Sequence, residues 1–308
     1  MAPKPRFLPY LALAAGILAL SLSSIFIRWA QAPGPVTSFY RMAIATLALA
    51  PFFFRRASRL QAVGWRLLLV PVLGGIFTTF DHSLWSTAIN MTSVANATLM
   101  NNTAPIWVAL VAWLVFHERL RPVFWLGLAL SLAGATLVLG DNLLHHPALS
   151  RGDLLAVISG LFYAAYFLTT QRGRRSLDTL SYVWIVTLSA SLGLFAVTRI
   201  ASMPVTGFSP QTYLAFLGAG LISQVVGYFS VGYALGHLPA SLVAPTMIAQ
   251  PVLTALLAIP LVGEPLQTGT WLGGLITLGG IYLLNRSREP AAGREEASQA
   301  ALSTPAHD

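Results

Sequence analysis

Ten apolar segments, each about as long as a bilayer is thick, constrain this chain more than any other feature of its sequence. A helix that crosses the hydrocarbon core needs about twenty mostly apolar residues. Such segments recur along the chain, separated by short connections that contain turn-forming residues. The predicted spans are 8–28, 36–54, 66–89, 93–116, 122–140, 152–171, 179–199, 210–234, 240–262 and 269–286. The predicted fold class is therefore an all-α integral membrane protein.

The composition supports a membrane protein and argues against several other classes. Hydrophobic residues make up 56% of the chain and charged residues 9%, whereas a soluble protein carries about a quarter charged residues. The net charge of +8 does not indicate a nucleic-acid partner, because Lys and Arg stand in small clusters between apolar runs. The sequence contains no Cys, which excludes thiolate sites, and we expect no metal and no cofactor.

The positions of Lys and Arg predict the orientation of the chain, since cytoplasmic loops carry the excess of these residues. With the N-terminus inside, about fourteen of the 18 basic residues fall on the cytoplasmic side. The outer side holds only Arg28, Arg151 and Arg199, and Arg41 lies inside a span. We expect a plasma (inner) membrane protein with both termini in the cytoplasm and a disordered tail over 289–308, where the sequence is polar.

An internal repeat divides the spans into two sets of five. A shift of 146 residues aligns two segments of thirty residues with about eleven identities. The aligned pairs include Pro105 and Pro251, Glu118 and Glu264, Trp125 and Trp271, Gly127 and Gly273, and Gly134 and Gly280. Because five is odd, the second copy enters the membrane with opposite polarity. We predict two inverted five-helix repeats over 1–146 and 147–288, an architecture of secondary transporters that work by alternating access.

The chain resembles the drug/metabolite transporter superfamily, in particular its EamA-type members. The resemblance covers about residues 8–286 and rests on a Pro-x(12)-Glu-x-Leu motif followed by a Gly-rich helix in each copy. The motifs end as HERL, with His117 in place of Gly, and as GEPL, with Pro265. The resemblance implies export or exchange of small metabolites, often amino acids. It also implies a central cavity lined mainly by the first, third, fourth, sixth, eighth and ninth helices.

Two polar residues in the third span are the leading candidates for the site. Asp81 and His82 lie deep in the predicted hydrocarbon, where a charged side chain must face protein or water. Neighbouring residues of a helix differ by about 100° in direction, so the two side chains point different ways. We expect a site for substrate and protons, since His titrates near neutral pH. The alternative is a static ion pair between Asp81 and Arg41, the charge partner, whose long side chain could also anchor at the outer surface.

Polar segments before two prolines at matching positions of the repeats give the second group of candidates. Pro105 and Pro251 each remove a backbone hydrogen bond and leave a carbonyl for a ligand, a water or a neighbouring helix. The predicted substrate-binding residues are Asp81, His82, Trp85, Asn101, Asn102, Tyr163, Gln224, Tyr228 and Gln250. The alternatives are interhelical hydrogen bonding for the amides and plain packing for the aromatic rings.

Other function classes fit the sequence less well than a carrier. The sequence has no metalloprotease, nucleophile-elbow or P-loop motif, which argues against an enzyme. A pore-type channel or facilitator for small polar solutes stays as the alternative, because polar residues in spans also line pores. The expected partners are a small-molecule substrate, the lipid bilayer and protons, but no nucleic acid. The sequence leaves the oligomeric state open.

Overall fold

The computed structural model describes residues 7–56, 64–91, 97, 100–139, 150–262 and 268–287. This part of the chain is helical with short connections and contains no β-strand. The helices are α1 (Leu8–Ala30), α2 (Gly34–Phe54), α3 (Trp65–Met91), α4 (Ala104–Leu114), α5 (Pro122–Leu139), α6 (Arg151–Gly173), α7 (Thr179–Ile200), α8 (Pro210–Leu235), α9 (Ala240–Thr246 and Ala249–Val262) and α10 (Thr268–Arg286). The predicted tail over 289–308 lies outside the described residues.

The prediction of a ten-helix membrane fold is confirmed. Six of the helices, namely α1, α2, α3, α6, α7 and α8, are long and apolar enough to cross a membrane. Helices α4 and α9 are shorter, because turns at Asn102 and Met247 interrupt the helical backbone just before Pro105 and Pro251. The two interruptions fall at matching positions of the repeats, as the sequence predicts.

Helix α1 is also interrupted, at Leu22, between Leu8–Ser21 and Ser23–Ala30. Two carbonyls beside the break accept hydrogen bonds from α9: the Leu20 carbonyl from Gln250 Nε2 at 3.2 Å, and the Ser21 carbonyl from Thr254 Oγ1 at 2.9 Å. A helix end inside hydrocarbon needs such partners, since no water is available there. The second copy therefore stabilises the break in the first.

Helices α5 and α10 pack against each other around a pseudo-twofold axis. Ser131 Oγ lies 3.5 Å from the Thr277 carbonyl, and Thr277 Oγ1 lies 3.4 Å from the Ser131 carbonyl. These two residues are 146 positions apart, which is the shift of the sequence repeat. Gly127 faces Gly280 and Gly134 faces Gly273, so the contacts advance along α5 as they recede along α10. The two helices are therefore antiparallel, and the two copies are inverted.

The other contacts between the copies obey the same symmetry. Helix α3 packs on α6, and its counterpart α8 packs on α1. Likewise α3 packs on α7 while α8 packs on α2, and α2 packs on its own counterpart α7. Each copy thus packs its helices against those of the other copy. Helices α2, α3 and α8 therefore each present part of their surface to the interface between the copies.

Candidate functional site

A carboxylate on α3 is joined to the second copy through the Asn101 amide, which lies just before the turn that precedes α4. Asn101 Nδ2 donates to Asp81 Oδ1 at 2.9 Å and also lies 2.7 Å from Ser159 Oγ on α6. The Asp81 side chain is only 6% exposed. These contacts give the buried carboxylate a polar partner, which a charged group in hydrocarbon requires. They also bring together Asp81 and Asn101, two of the predicted site residues.

The turn before Pro105 brings the backbone of α4 against α6. Pro105 has no N–H to bond the Asn101 carbonyl, so this oxygen lacks its usual helical donor. A Cβ added at Gly160 would lie 2.8 Å from that oxygen, which is closer than real Cβ atoms come. Glycine is therefore needed at this position of α6. The close approach places Ser159, the neighbouring residue, within reach of the Asn101 amide.

His82 points away from Asp81, as helix periodicity predicts. Its Nδ1 lies 3.2 Å from Ser38 Oγ on α2, and the imidazole is buried. This contact stays within the first copy, whereas Asp81 faces α4 and α6. Of the two titratable residues, Asp81 is therefore the one at the interface between the copies.

Arg41 is buried between α1, α2 and α8. Its Nε donates to Gln224 Oε1 at 2.9 Å, and its Nη1 donates to Ser23 Oγ at 2.9 Å. The guanidinium carbon lies 5.2 Å from the centre of the Tyr228 ring, within the range of a cation–π interaction. Only 6% of the residue is exposed, so the side chain does not extend to the outer surface as an anchor. The ion pair with Asp81 is absent, since these two described side chains take different partners.

The backbone of α8 departs from α-helical geometry beside Arg41. The segment Ala219–Tyr228 is a π-helix, and it carries both Gln224 and Tyr228. Within it, a Cβ added at Gly220 would lie 3.4 Å from the Arg41 carbonyl and 2.6 Å from a carbon of Ile44. Glycine therefore lets α2 approach α8 closely enough for the Arg41–Gln224 bond. Stretches of π-helix occur frequently at functional sites.

Tyrosine rings connect the surroundings of Arg41 with those of Asp81. The Tyr228 ring packs on Tyr166 with centroids 5.6 Å apart, and Tyr166 packs on Tyr163 at 6.3 Å. Tyr163 and Ser159 are one turn apart on α6 and share a face. The predicted residues Tyr163 and Tyr228 thus lie in one contiguous aromatic group between the two polar contacts.

The remaining predicted residues have different surroundings. The indole N–H of Trp85 is buried without a hydrogen-bond partner in the described part of the chain. Asn102 lies in the turn before Pro105 and is partly exposed. Gln250 donates to the carbonyl of Leu20 at 3.2 Å, so it makes an interhelical hydrogen bond, the alternative considered for the amides.

Sequence reasoning missed three residues of this site: Ser23, Ser38 and Ser159. All three are serines, which occur throughout apolar helices and carry no distinguishing signal. Tyr166 was not among the predicted substrate-binding residues, because its spacing of three residues from Tyr163 favours packing as much as a site. The three serines are identified only by the packing of the helices in three dimensions.

The Glu of the HERL motif lies at another contact between the copies. Ser241 Oγ on α9 donates to Glu118 Oε2 at 2.6 Å. His117, which precedes it, has a left-handed backbone with φ of 53°. Glycine adopts this conformation without strain, which gives a physical reason for glycine at the corresponding position of the motif.

A scan against protein families matches the EamA-like transporter family twice along the chain, at residues 7–140 and 150–286. The chain belongs to the EamA-like transporter family. An uncharacterized transporter from Archaeoglobus fulgidus is 28% identical over 255 residues, covering 80% of this chain and 86% of the relative. A riboflavin transporter from Rhizobium johnstonii is 27% identical over 291 residues, covering 90% of this chain and 92% of that protein.

A solved structure has the same fold as this EamA-like chain. A crystal structure superposes with a TM-score of 0.74 at 20% sequence identity, covering 90% of this chain and 96% of the other. At such low sequence identity, this structural similarity supports the architecture alone. Together with the family match, it makes this protein a multi-pass membrane protein of a transporter family.

Proposed function

We propose that the protein is a secondary transporter of small metabolites that works by alternating access, and that it exports amino acids or related compounds. The repeats at 1–146 and 147–288 rock against each other around a site built from the predicted substrate-binding residues. Proton coupling runs through Asp81 or His82. The protein lies in the plasma (inner) membrane with both termini in the cytoplasm.

One observation carries this proposal: buried polar groups of one inverted copy bond to those of the other. Arg41 bonds to Gln224 across the interface, and Asp81 is joined through Asn101 to Ser159. Rocking one copy against the other must change these contacts, and a ligand that bonds differently in the two arrangements shifts their populations. A fixed pore, in contrast, does not require polar hydrogen bonds between two copies that move against each other.

Counterflow in vesicles tests the proposal. The purified protein is reconstituted into vesicles of phosphatidylethanolamine and phosphatidylglycerol and loaded in turn with amino acids, amines, organic acids and neutral metabolites. A carrier will accumulate a trace of labelled solute when the same unlabelled solute fills the lumen. Flux without this trans-stimulation indicates a channel, and flux of no solute in any class contradicts the transport function.

Substitution of Asp81 tests the proton site. Asp81→Asn keeps an oxygen to accept from Asn101 but removes the charge, so we expect proton movement to fall at least tenfold, as read by a pH-sensitive dye in the lumen. Asp178→Asn, at the start of α7 outside the membrane span, is the matched control and should behave as wild type. If Asp81→Asn and His82→Ala both transport and move protons as wild type does, the assignment of this site is wrong.

Peptide tags on the two chain ends test the orientation. Both tags should be accessible to antibody only after permeabilisation of intact cells. Tags on opposite faces would contradict an even number of spans and the inverted repeat with it.

A further inference from the structure

The buried guanidinium of Arg41 has only neutral partners in the described part of the chain. These partners are an amide oxygen, a hydroxyl and the face of an aromatic ring, supplied by Gln224, Ser23 and Tyr228. The guanidinium cannot lose its charge, because arginine stays protonated in proteins. A buried charge is normally compensated by a counter-ion, and neutral hydrogen bonds offset only part of its desolvation. The site is therefore electrostatically incomplete at the position of Arg41.

Asp81 does not fill this position. It is close enough to Arg41 for electrostatic attraction. Its Oδ1 nevertheless accepts from Asn101, on the side of α4 and α6, and the two side chains form no ion pair. The two groups stand apart, one a guanidinium and the other a titratable carboxyl, with tyrosine rings between their surroundings. Such an arrangement suits a ligand that carries both an anionic and a cationic group.

The guanidinium also has the means to bind an anion. It carries five N–H donors in a planar fork that matches a carboxylate, and its hydrogen bonds to Gln224 and Ser23 use Nε and Nη1. Its partner Gln224 lies on the π-helix of α8, a geometry that recurs at functional sites. A phosphate fits less well, because its charge approaches two and Arg41 is the single Lys or Arg away from the ends of the predicted spans.

We propose that Arg41 binds the carboxylate of the transported molecule and thereby selects zwitterionic, amino-acid-like substrates, whose ammonium group faces Asp81. This inference rests on the proposed transport function. Arg41 is then a specificity-determining residue and not a lipid anchor. Gln224 and Ser23 hold the guanidinium in place, and the tyrosine rings pack on the body of the substrate.

Acid and amide pairs test the inference. Counterflow is measured in the reconstituted full chain with L-amino acids and with the matching L-amino acid amides, which keep the ammonium group and the side chain but lack the carboxylate. We expect the acid to be exchanged at least tenfold faster than its amide. In Arg41→Gln we expect this ratio to fall to about one, through loss of the acid rate. Arg41→Lys should give an intermediate ratio, since it keeps the charge and loses the fork.

The ratio is taken within each variant, so it does not depend on how much protein folds. Arg199→Gln, at the exposed end of α7, removes a charge away from the site and should keep the wild-type ratio. Equal exchange of acid and amide by wild type overturns the inference even if no Arg41 variant folds, and so does a tenfold ratio that persists in Arg41→Gln. If only amines or neutral solutes are exchanged, the inference fails and the transport function stands. If no solute is exchanged, both fail.

Discussion

The crossing of α5 and α10 offers a sharp test of the pseudo-twofold packing, because two adjacent glycines on α10 differ completely in their surroundings. A Cβ added at Gly280 would lie 2.5 Å from the backbone nitrogen of Ser131, whereas one added at Gly279 meets nothing within 4 Å. Ordinary contacts begin near 3.4 Å, so Gly280→Ala must separate the helices by about 1 Å. Gly279→Ala requires no movement.

The two substitutions should therefore change the free energy of unfolding differently. Alanine is a better helix former than glycine by about 1 kcal/mol, so Gly279→Ala should be neutral or stabilising by up to that amount. Gly280→Ala should destabilise by roughly 1–3 kcal/mol, the usual cost of overpacking, because a backbone nitrogen cannot rotate out of the way. The melting temperature of each variant is measured by heating the protein in detergent and quantifying the folded fraction by size-exclusion chromatography. Equal melting temperatures for the two variants would refute the close crossing.

The symmetry adds a second test on the same pair of helices. A Cβ added at Gly134 would lie 2.4 Å from the backbone nitrogen of Thr277, which mirrors the contact of Gly280 with Ser131. Separation of the helices by one substitution also makes room for the other. The double variant Gly134→Ala with Gly280→Ala should therefore cost less than the two single variants together. Strict additivity would contradict a shared crossing point.

Three further predictions concern residues outside the membrane interior. Ser241→Ala removes the hydrogen bond to Glu118 and should destabilise by roughly 1.5–3 kcal/mol in thermal unfolding, while an unchanged melting temperature would make that contact dispensable. His117→Gly should stabilise by about 1 kcal/mol, because glycine relieves the left-handed backbone, and any loss of stability would argue against strain there. Asp178 accepts from the Ser181 N–H and hydroxyl at the start of α7. Its burial raises the pKa, but these hydrogen bonds outweigh burial and lower the pKa below the ordinary value. The ionised Asp178 side chain should therefore stabilise the folded state above about pH 4, and this stabilisation should fall as the pH drops further. Asp178→Ala should lose this pH dependence together with roughly 1 kcal/mol of stability.

The sequence predicted those features of the fold that depend on local pattern and on counting. Long apolar runs predicted the helices, and two prolines predicted the interruptions in α4 and α9. An odd number of spans per repeat predicted the inversion, which the antiparallel contact of Ser131 with Thr277 confirms. These inferences succeed because the bilayer permits few alternatives: every span must satisfy its own backbone.

The partners of the site residues could not be predicted in the same way. Arg41 was expected either to pair with Asp81 or to anchor at the surface, and it instead lies against Gln224 and Ser23. That outcome depends on how closely α2 approaches α8, which Gly220 and the local π-helix determine. No periodicity in one sequence reveals which of several small residues faces another helix.

The two copies share their packing residues but not the charged residues Arg41 and Asp81. Glycine and proline pairs recur at the repeat shift, because each copy contacts the other through the same backbone positions. A larger side chain at either position of a pair disturbs the same helix crossing. A shift of 145 or 146 residues aligns Arg41 with Val186 or Thr187, and it aligns Asp81 with Val226 or Gly227. All four residues of the second copy are uncharged. A symmetric scaffold that holds one asymmetric molecule needs each charged group only once. On the proposed substrate site, the first copy supplies both charged residues, and the second copy adds the neutral partners Gln224 and Ser159.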